Sequence, residues 1–222
     1  MDLGPLNSFD RAGGKKAMSK LSGLSGTIYL IDDDDAIRSS LSRMLTDVGY
    51  HVFDYNSATS FLNNSRVVSP AVILLDMQMP DISGLELFDS LEKSGSATPI
   101  IFLSGQSHPQ QIVKGLKKGA LDFLFKPFNL EELLNAIQAA LEYDRKQFKR
   151  ILNASEIKQN FLSLTPREKE VFALLVSGLM NKEIAQQLGT TDATIKVHKA
   201  RVMEKMRAGS VQDLVRFHIE IN

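Results

Sequence analysis

The chain has 222 residues, 43% of them hydrophobic and 23% charged, with 26 Lys+Arg against 26 Asp+Glu and no cysteine. That length suits one large or two ordinary domains, and that composition is ordinary for a soluble globular protein. No apolar run is long enough to span a bilayer, Met1–Gly26 lacks the apolar centre of a secretory signal, and zero cysteine excludes disulfide and thiolate chemistry, all of which fits a cytoplasmic protein.

In chain order, Met1–Gly26 is rich in Gly, Ser and Lys without periodicity and reads as a disordered extension. From Thr27 to about Leu141, apolar strand-like runs alternate with helical ones. The strands are Thr27–Asp32, His51–Tyr55, Ala71–Asp76, Pro99–Ser104 and Leu121–Phe125. The helices lie near Asp35–Val48, Ser57–Asn63, Gly84–Lys93, Pro109–Lys118 and Leu130–Leu152. Five βα units imply a doubly wound, five-stranded parallel sheet over residues 27–141. After Leu141 everything reads helical. Leu134, Ile137, Leu141, Phe148 and Ile151 recur at heptad-like spacing, with Asp144 interrupting them. They describe either a dimerising seam or one helix whose first half packs on the sheet. Residues 142–162 then form a long linker helix.

Residues 163–222 read as an all-α unit of four helices. Thr165-Pro166-Arg167-Glu168 combines a Thr cap, Pro at the first helical position and Glu three residues after the cap. That helix stops at Gly178. A second covers Lys182–Leu188 and ends at Gly189, a third covers about Asp192–Met206, and Ser210 with Asp213 caps a fourth. A short helix, a tight Gly turn and a longer helix with outward basic residues is the helix-turn-helix pattern. Charge is divided the same way: residues 1–141 carry 12 Lys+Arg against 16 Asp+Glu, and residues 142–222 carry 14 against 10. An acidic half joined to a basic half points to different partners, although a split this small also arises by chance.

Chemistry enters at the strand ends. The first strand is followed by Asp32–Asp35, the third ends in Asp76, the fourth in Ser104, and the fifth runs into Lys126-Pro127. In an open α/β sheet the reactive groups lie beyond the carboxyl ends of the strands, so these residues converge on one edge. Taken singly, each Asp is as well read as a helix cap or turn former. Together they form the carboxylate, lysine and hydroxyl set that Mg²⁺-assisted phosphoryl transfer onto a carboxylate requires.

Thr27–Glu142 resembles the receiver domain of two-component response regulators, which has a flavodoxin-like fold. The resemblance rests on Asp32-Asp33, Leu74-Leu75-Asp76, Met79-Pro80 with Gly84, Ser104, and Lys126-Pro127-Phe128. It implies that Asp76 accepts a phosphoryl group from a cognate sensor histidine kinase. It implies that Asp33, Asp76 and the backbone carbonyl of Gln78 hold Mg²⁺, with Asp32 helping through water. Lys126 pairs with Asp76, Ser104 bonds a phosphoryl oxygen, Phe123 is the switch aromatic that turns inward with it, and Pro127 follows a cis peptide bond. Ser at 104 and Phe at 123 stand where Thr and Tyr are commoner, which keeps the hydroxyl and the ring but drops the ring's OH.

Leu164–Arg216 resembles the LuxR/FixJ-type helix-turn-helix through Leu164–Glu168, Gly178-Leu179, Asn181–Ala185, Thr194–His198 and Arg201–Met206. On the third helix Ile195, Val202 and Met206 share an apolar stripe that Ala185 and Leu188 can meet. Lys196, Val197, Lys199 and Ala200 are expected to face outward to base edges. Asn181, Lys182, Thr191, Lys199, Arg201 and Lys205 suit phosphates. A solvated basic face is the bland alternative for the same residues.

Both domains in this order look most like FixJ-type response regulators. The implied function is that of a phosphorylation-controlled activator, not an enzyme, which dimerises on phosphorylation and binds double-stranded promoter DNA, with RNA polymerase as a further partner. Two other readings exist. One is a receiver that never takes phosphate. The other is a phosphatase of the haloacid-dehalogenase type, whose nucleophile ends the first strand in Asp-x-Asp; here Asp76 ends the third and precedes Met77-Gln78.

Overall fold

The computed structural model describes residues 26–105, 113 and 115–221. The disorder expected before Gly26 and most of the helix expected over Pro109–Lys118 fall outside these, although residues 113 and 115–117 are helical. The chain divides into two compact units, up to Phe148 and from Lys149.

The first unit is a parallel sheet of five strands: β1 (Thr27–Ile31), β2 (His51–Tyr55), β3 (Ala71–Asp76), β4 (Ile100–Ser104) and β5 (Asp122–Phe125), in the order β2-β1-β3-β4-β5. Its helices include α1 (Asp35–Val48), α2 (Ala58–Asn64) and α3 (Gly84–Lys93). All six residues of β3 are buried, as a central strand covered on both faces demands. Alternate residues feed opposite faces. Ile28, Leu30, Val72, Leu74, Ile101 and Leu103 pack with Leu41 and Leu45 of α1 and with Leu133, Ile137 and Leu141. Tyr29, Ile31, Ile73, Leu75 and Phe102 pack with Phe61 of α2 and with Leu87 and Phe88 of α3.

Helix α4 runs from Leu130 to Leu162, so the helix expected over Leu130–Leu152 and the linker helix expected over residues 142–162 are one continuous helix. It contains no Gly or Pro, and no breaker appears until the turn at Ser163 before the Thr165 cap. Ile137 and Leu141 are buried under the sheet while Phe148 and Ile151 are exposed. The first half therefore packs as one of the two readings had it. Asp144 does more than interrupt a seam: it is buried and accepts the Ala71 N–H at 2.8 Å, pinning α4 to the start of β3.

The second unit holds α5 (Pro166–Val176), α6 (Asn181–Gln187), α7 (Asp192–Lys205) and α8 (Val211–Ile221). Thr165 caps α5 through a complete capping box with Glu168, and Thr191 accepts the Thr194 N–H at the start of α7. Gly178 and Gly189 close the turns between helices with φ of 89° and 64°, a region where a side chain is strained. The core joins Ile157, Leu164, Val171, Phe172, Leu175, Ile184, Ala185, Ile195, Val202, Met206 and Leu214, with Leu188 packed against it. Among the described residues no helix is long and apolar enough to cross a membrane.

Candidate functional site

Strand order reverses between β1 and β3, and the parallel registers level the strand ends there: Ile31 lies opposite Leu75, Asp76 opposite Leu103, and Ser104 opposite Phe125. Backbone bonds carry the alignment into the loops, from Met77 N to the Leu103 carbonyl (3.1 Å) and from Lys126 N to the Ser104 carbonyl (2.7 Å). The result is a pocket at the switch point of the sheet, where such folds bind ligands. Lys126 Nζ donates to Asp32 Oδ2 at 2.7 Å and to Asp76 Oδ1 at 3.2 Å. Asp32, Asp76 and Ser104 are buried, whereas Asp33 and Gln78 are exposed.

The pocket is short of positive charge. Oxygens of Asp32, Asp33 and Asp76 lie within 4.8 Å of one another, and the ammonium that bonds two of these acids is that of Lys126. Burial pushes the Asp76 carboxyl above its ordinary value; Lys126 opposes this, while the like charges of Asp32 and Asp33 add to it. Burial alone would lower Lys126, but its bonds to Asp32 and Asp76 outweigh that and hold the ammonium charged. Three clustered hard oxygen donors with one lysine fit a divalent cation such as Mg²⁺, which needs only one or two carboxylates and keeps several waters.

The surrounding chain fixes this arrangement. A Cβ at Gly84 would lie 2.3 Å from the Asp76 carbonyl, so glycine is required where α3 starts against the end of β3. The Lys126-Pro127 bond is cis, as the family resemblance implied. Phe123 lies beneath the pocket, stacked on Phe102 at 4.8 Å. Phe123 is buried as a residue.

In the second unit, α7 turns Ile195, Val202 and Met206 into the core. Lys196, Val197 and Ala200 are exposed, and so are Arg201, Thr191 and Lys182, while Asn181 and Lys199 are half-buried. Lys196 pairs with Asp192 at 2.8 Å along the helix. Lys205, expected at the phosphates, is engaged inside the unit instead. Its ammonium bonds the buried Glu168 at 2.6 Å, which makes it part of the unit's framework.

The family profile described as the response regulator receiver domain matches residues 28–138, and that of the luxR family of bacterial regulatory proteins matches residues 162–218. The chain belongs to the response regulators. It is 40% identical to the response regulator protein TodT of Pseudomonas putida F1, over 88% of this chain and 86% of that protein. It is 37% identical to the tetrathionate response regulatory protein TtrR of Salmonella typhimurium, over 86% of this chain and 90% of that one. Among solved structures it resembles the response regulator StyR, with a TM-score of 0.79 at 34% identity, covering 89% of this chain and all of that one. As a two-component response regulator, it joins a receiver domain to a LuxR-type DNA-binding domain and acts as a phosphorylation-dependent transcriptional regulator.

One residue of this response regulator's pocket went unnoticed in the sequence. Arg38, one turn into α1, donates from Nη1 to the Asp32 carbonyl at 2.8 Å. The signal was an arginine one helical turn beyond an acidic run, where it can fold back on the loop.

Proposed function

We propose that residues 27–141 are the phospho-acceptor domain, 142–162 a helical linker and 163–222 the DNA-binding domain, and that Asp76 is the acceptor. A carboxylate oxygen of Asp76 attacks the phosphorus of a phosphohistidine on the sensor kinase. The P–O bond forms as the P–N bond breaks, and the imidazole nitrogen keeps the electron pair. Asp33, Asp76 and the Gln78 carbonyl would hold Mg²⁺, with Asp32 reaching it through water; bound there, the ion offsets charge on the phosphoryl oxygens. Lys126 pairs with the incoming group and Ser104 donates to one of its oxygens. Phe123 turns inward together with Ser104. The observation that carries this reading is the buried Asp76 beside two further acids and one lysine at the switch point of the sheet.

The added charge, roughly −1.5 to −2, repacks the β5 side of the receiver and promotes homodimers in the cytoplasm. Paired helix-turn-helix domains then bind two promoter half-sites about one helical turn of DNA apart. Lys196, Val197 and Ala200 face base edges; Asn181, Lys182, Thr191, Lys199 and Arg201 face phosphates. The protein activates transcription through RNA polymerase. The test is solution molar mass and gel-shift affinity for promoter DNA, with Mg²⁺ and a small phosphodonor, on wild type and Asp76→Asn. A shift to dimer with tighter binding in wild type alone supports the reading; an equal response in the variant overturns it.

A further inference from the structure

The run Asp32-Asp33-Asp34-Asp35 puts four identical side chains beside one pocket, yet the structure gives them different duties. Asp32 accepts from Lys126, and its other oxygen accepts the Asp34 N–H at 2.9 Å. Asp34 caps α1, accepting the N–H groups of Ala36 and Ile37 at 2.9 and 3.0 Å. Asp35 is ion-paired to Arg38 on the outer side. Arg38 connects these assignments. Its side chain is only 13% exposed, and while Nη2 holds Asp35, Nη1 holds the Asp32 carbonyl at 2.8 Å. Its Nε lies 3.7 Å from Asp54 of β2, and Asp54 is fixed in turn by the Ser42 hydroxyl at 2.9 Å.

We propose that Arg38 is a positioning residue for the cation site: it locks the Asp32 peptide, draws Asp35 away from the pocket, and braces the loop against β2. This rests on the reading that the acidic pocket binds Mg²⁺. A planar guanidinium with five donors in a fixed fork can hold a carbonyl and two carboxylates at once; an ammonium can match its charge but not its geometry. Mg²⁺ tolerates little distortion of its ligands, so the loop's exact course governs its affinity. Groups one step behind metal ligands typically change affinity 10- to 100-fold when removed. Arg38 acts through the Asp32 main chain, so the lower end applies.

Charge and geometry make opposite forecasts, which gives a sharp experiment. Removing a cation beside an acidic pocket should tighten Mg²⁺ binding if Arg38 matters only through its charge. If it positions the loop, binding should weaken. Calorimetric titration of the full chain with MgCl₂ would compare wild type, Arg38→Met, Arg38→Lys and Asp54→Asn, with thermal melts to verify folding. The expected result is about 10-fold weaker binding in Arg38→Met, little recovery in Arg38→Lys, and a smaller loss in Asp54→Asn. Should Arg38→Met compromise folding, Arg38→Lys still tests the position, because it keeps the positive charge and loses only the fork. Equal or tighter binding in folded variants overturns the inference alone. Absence of Mg²⁺ binding by wild type overturns the cation site and this inference with it.

Discussion

Each half of the molecule buries a carboxylate against a lysine, and the two arrangements are opposites. In the receiver, burial pushes the Asp76 carboxyl up, and the like charges of Asp32, with which it shares Lys126, and of Asp33 add to the rise. In the DNA-binding unit, Glu168 has Lys205 to itself and also accepts the Thr165 N–H at 2.8 Å, so its carboxyl is held down at about 2. A satisfied pair fastens two helices. An over-subscribed lysine leaves a site waiting for more positive charge. A carboxylate and a lysine build a bolt in one place and a candidate reactive centre in the other, and the balance of burial, like charges and hydrogen bonds separates them.

The largest break in this comparison comes from Asp76→Asn. Phosphoryl incorporation from a small phosphodonor, followed by intact mass, should fall to nothing. The receiver should nonetheless melt at the same or a higher temperature, because a buried carboxylate among like charges is lost. Glu168→Ala should do the reverse: phosphorylation survives, and the DNA-binding unit loses roughly 2–3 kcal/mol, the worth of hydrogen bonds to a charged group. Lys205 is itself part-exposed, so water takes over some of its solvation. Hydrogen exchange read unit by unit checks both; a uniform loss across the chain would contradict the contrast.

Acid sharpens it further. Glu168 has a folded value near 2 against an ordinary 4.5. The unfolded chain therefore binds the extra proton first, and this stabilisation is full above 4.5 and drains away as pH falls toward 2. Asp76 has its folded value raised above 3.8, so the folded chain binds the proton first. Its contribution is largest at low pH and is lost as pH rises through the raised value. Acidification should thus loosen the DNA-binding unit while Asp76 works in the receiver's favour. Glu168→Gln and Asp76→Asn should each flatten the pH dependence of local exchange in their own unit.

The floor of the pocket offers a smaller perturbation. A Cβ at Gly115 would lie 2.6 Å from Phe123 Cζ, close enough to drive the ring from its stack on Phe102. Gly115→Ala should cost about 1–3 kcal/mol, as overpacking does, and shift the ¹⁹F resonance of fluorophenylalanine at 123 toward an exposed environment. An unmoved resonance would mean the helix backs away instead.

The sheet was legible because strands covered on both faces become unbroken apolar runs, and the site because each run ends in its polar residue. Residues with two duties were harder to read. Asp144 looked like a fault in a heptad and is a buried acceptor for Ala71. The four aspartates could not be told apart without Arg38, since identical side chains differ only in what binds them. The continuation of α4 to Leu162 was legible, because its sequence holds no breaker before that point.

Lys205 was legible as a cation, however, and its two possible duties supply the finest test. At about 100° per residue, nine positions place it about 180° around α7 from Lys196, on the side it shares with Arg201 four residues earlier. A lysine that stays paired at 2.6 Å with a buried carboxylate neutralises no phosphate and so frees none of the counterions condensed on the DNA. Lys199→Ala and Arg201→Ala should each reduce the slope of log affinity against log salt by about one. Lys196→Ala should weaken specific binding by about 1–3 kcal/mol with phosphorylation intact. Lys205→Met should leave the salt slope unchanged and lower affinity only in proportion to the stability it removes. If its slope falls as far as that of Lys199→Ala, the ammonium leaves Glu168 for a phosphate when DNA arrives, and the bolt in this half of the molecule is also a contact.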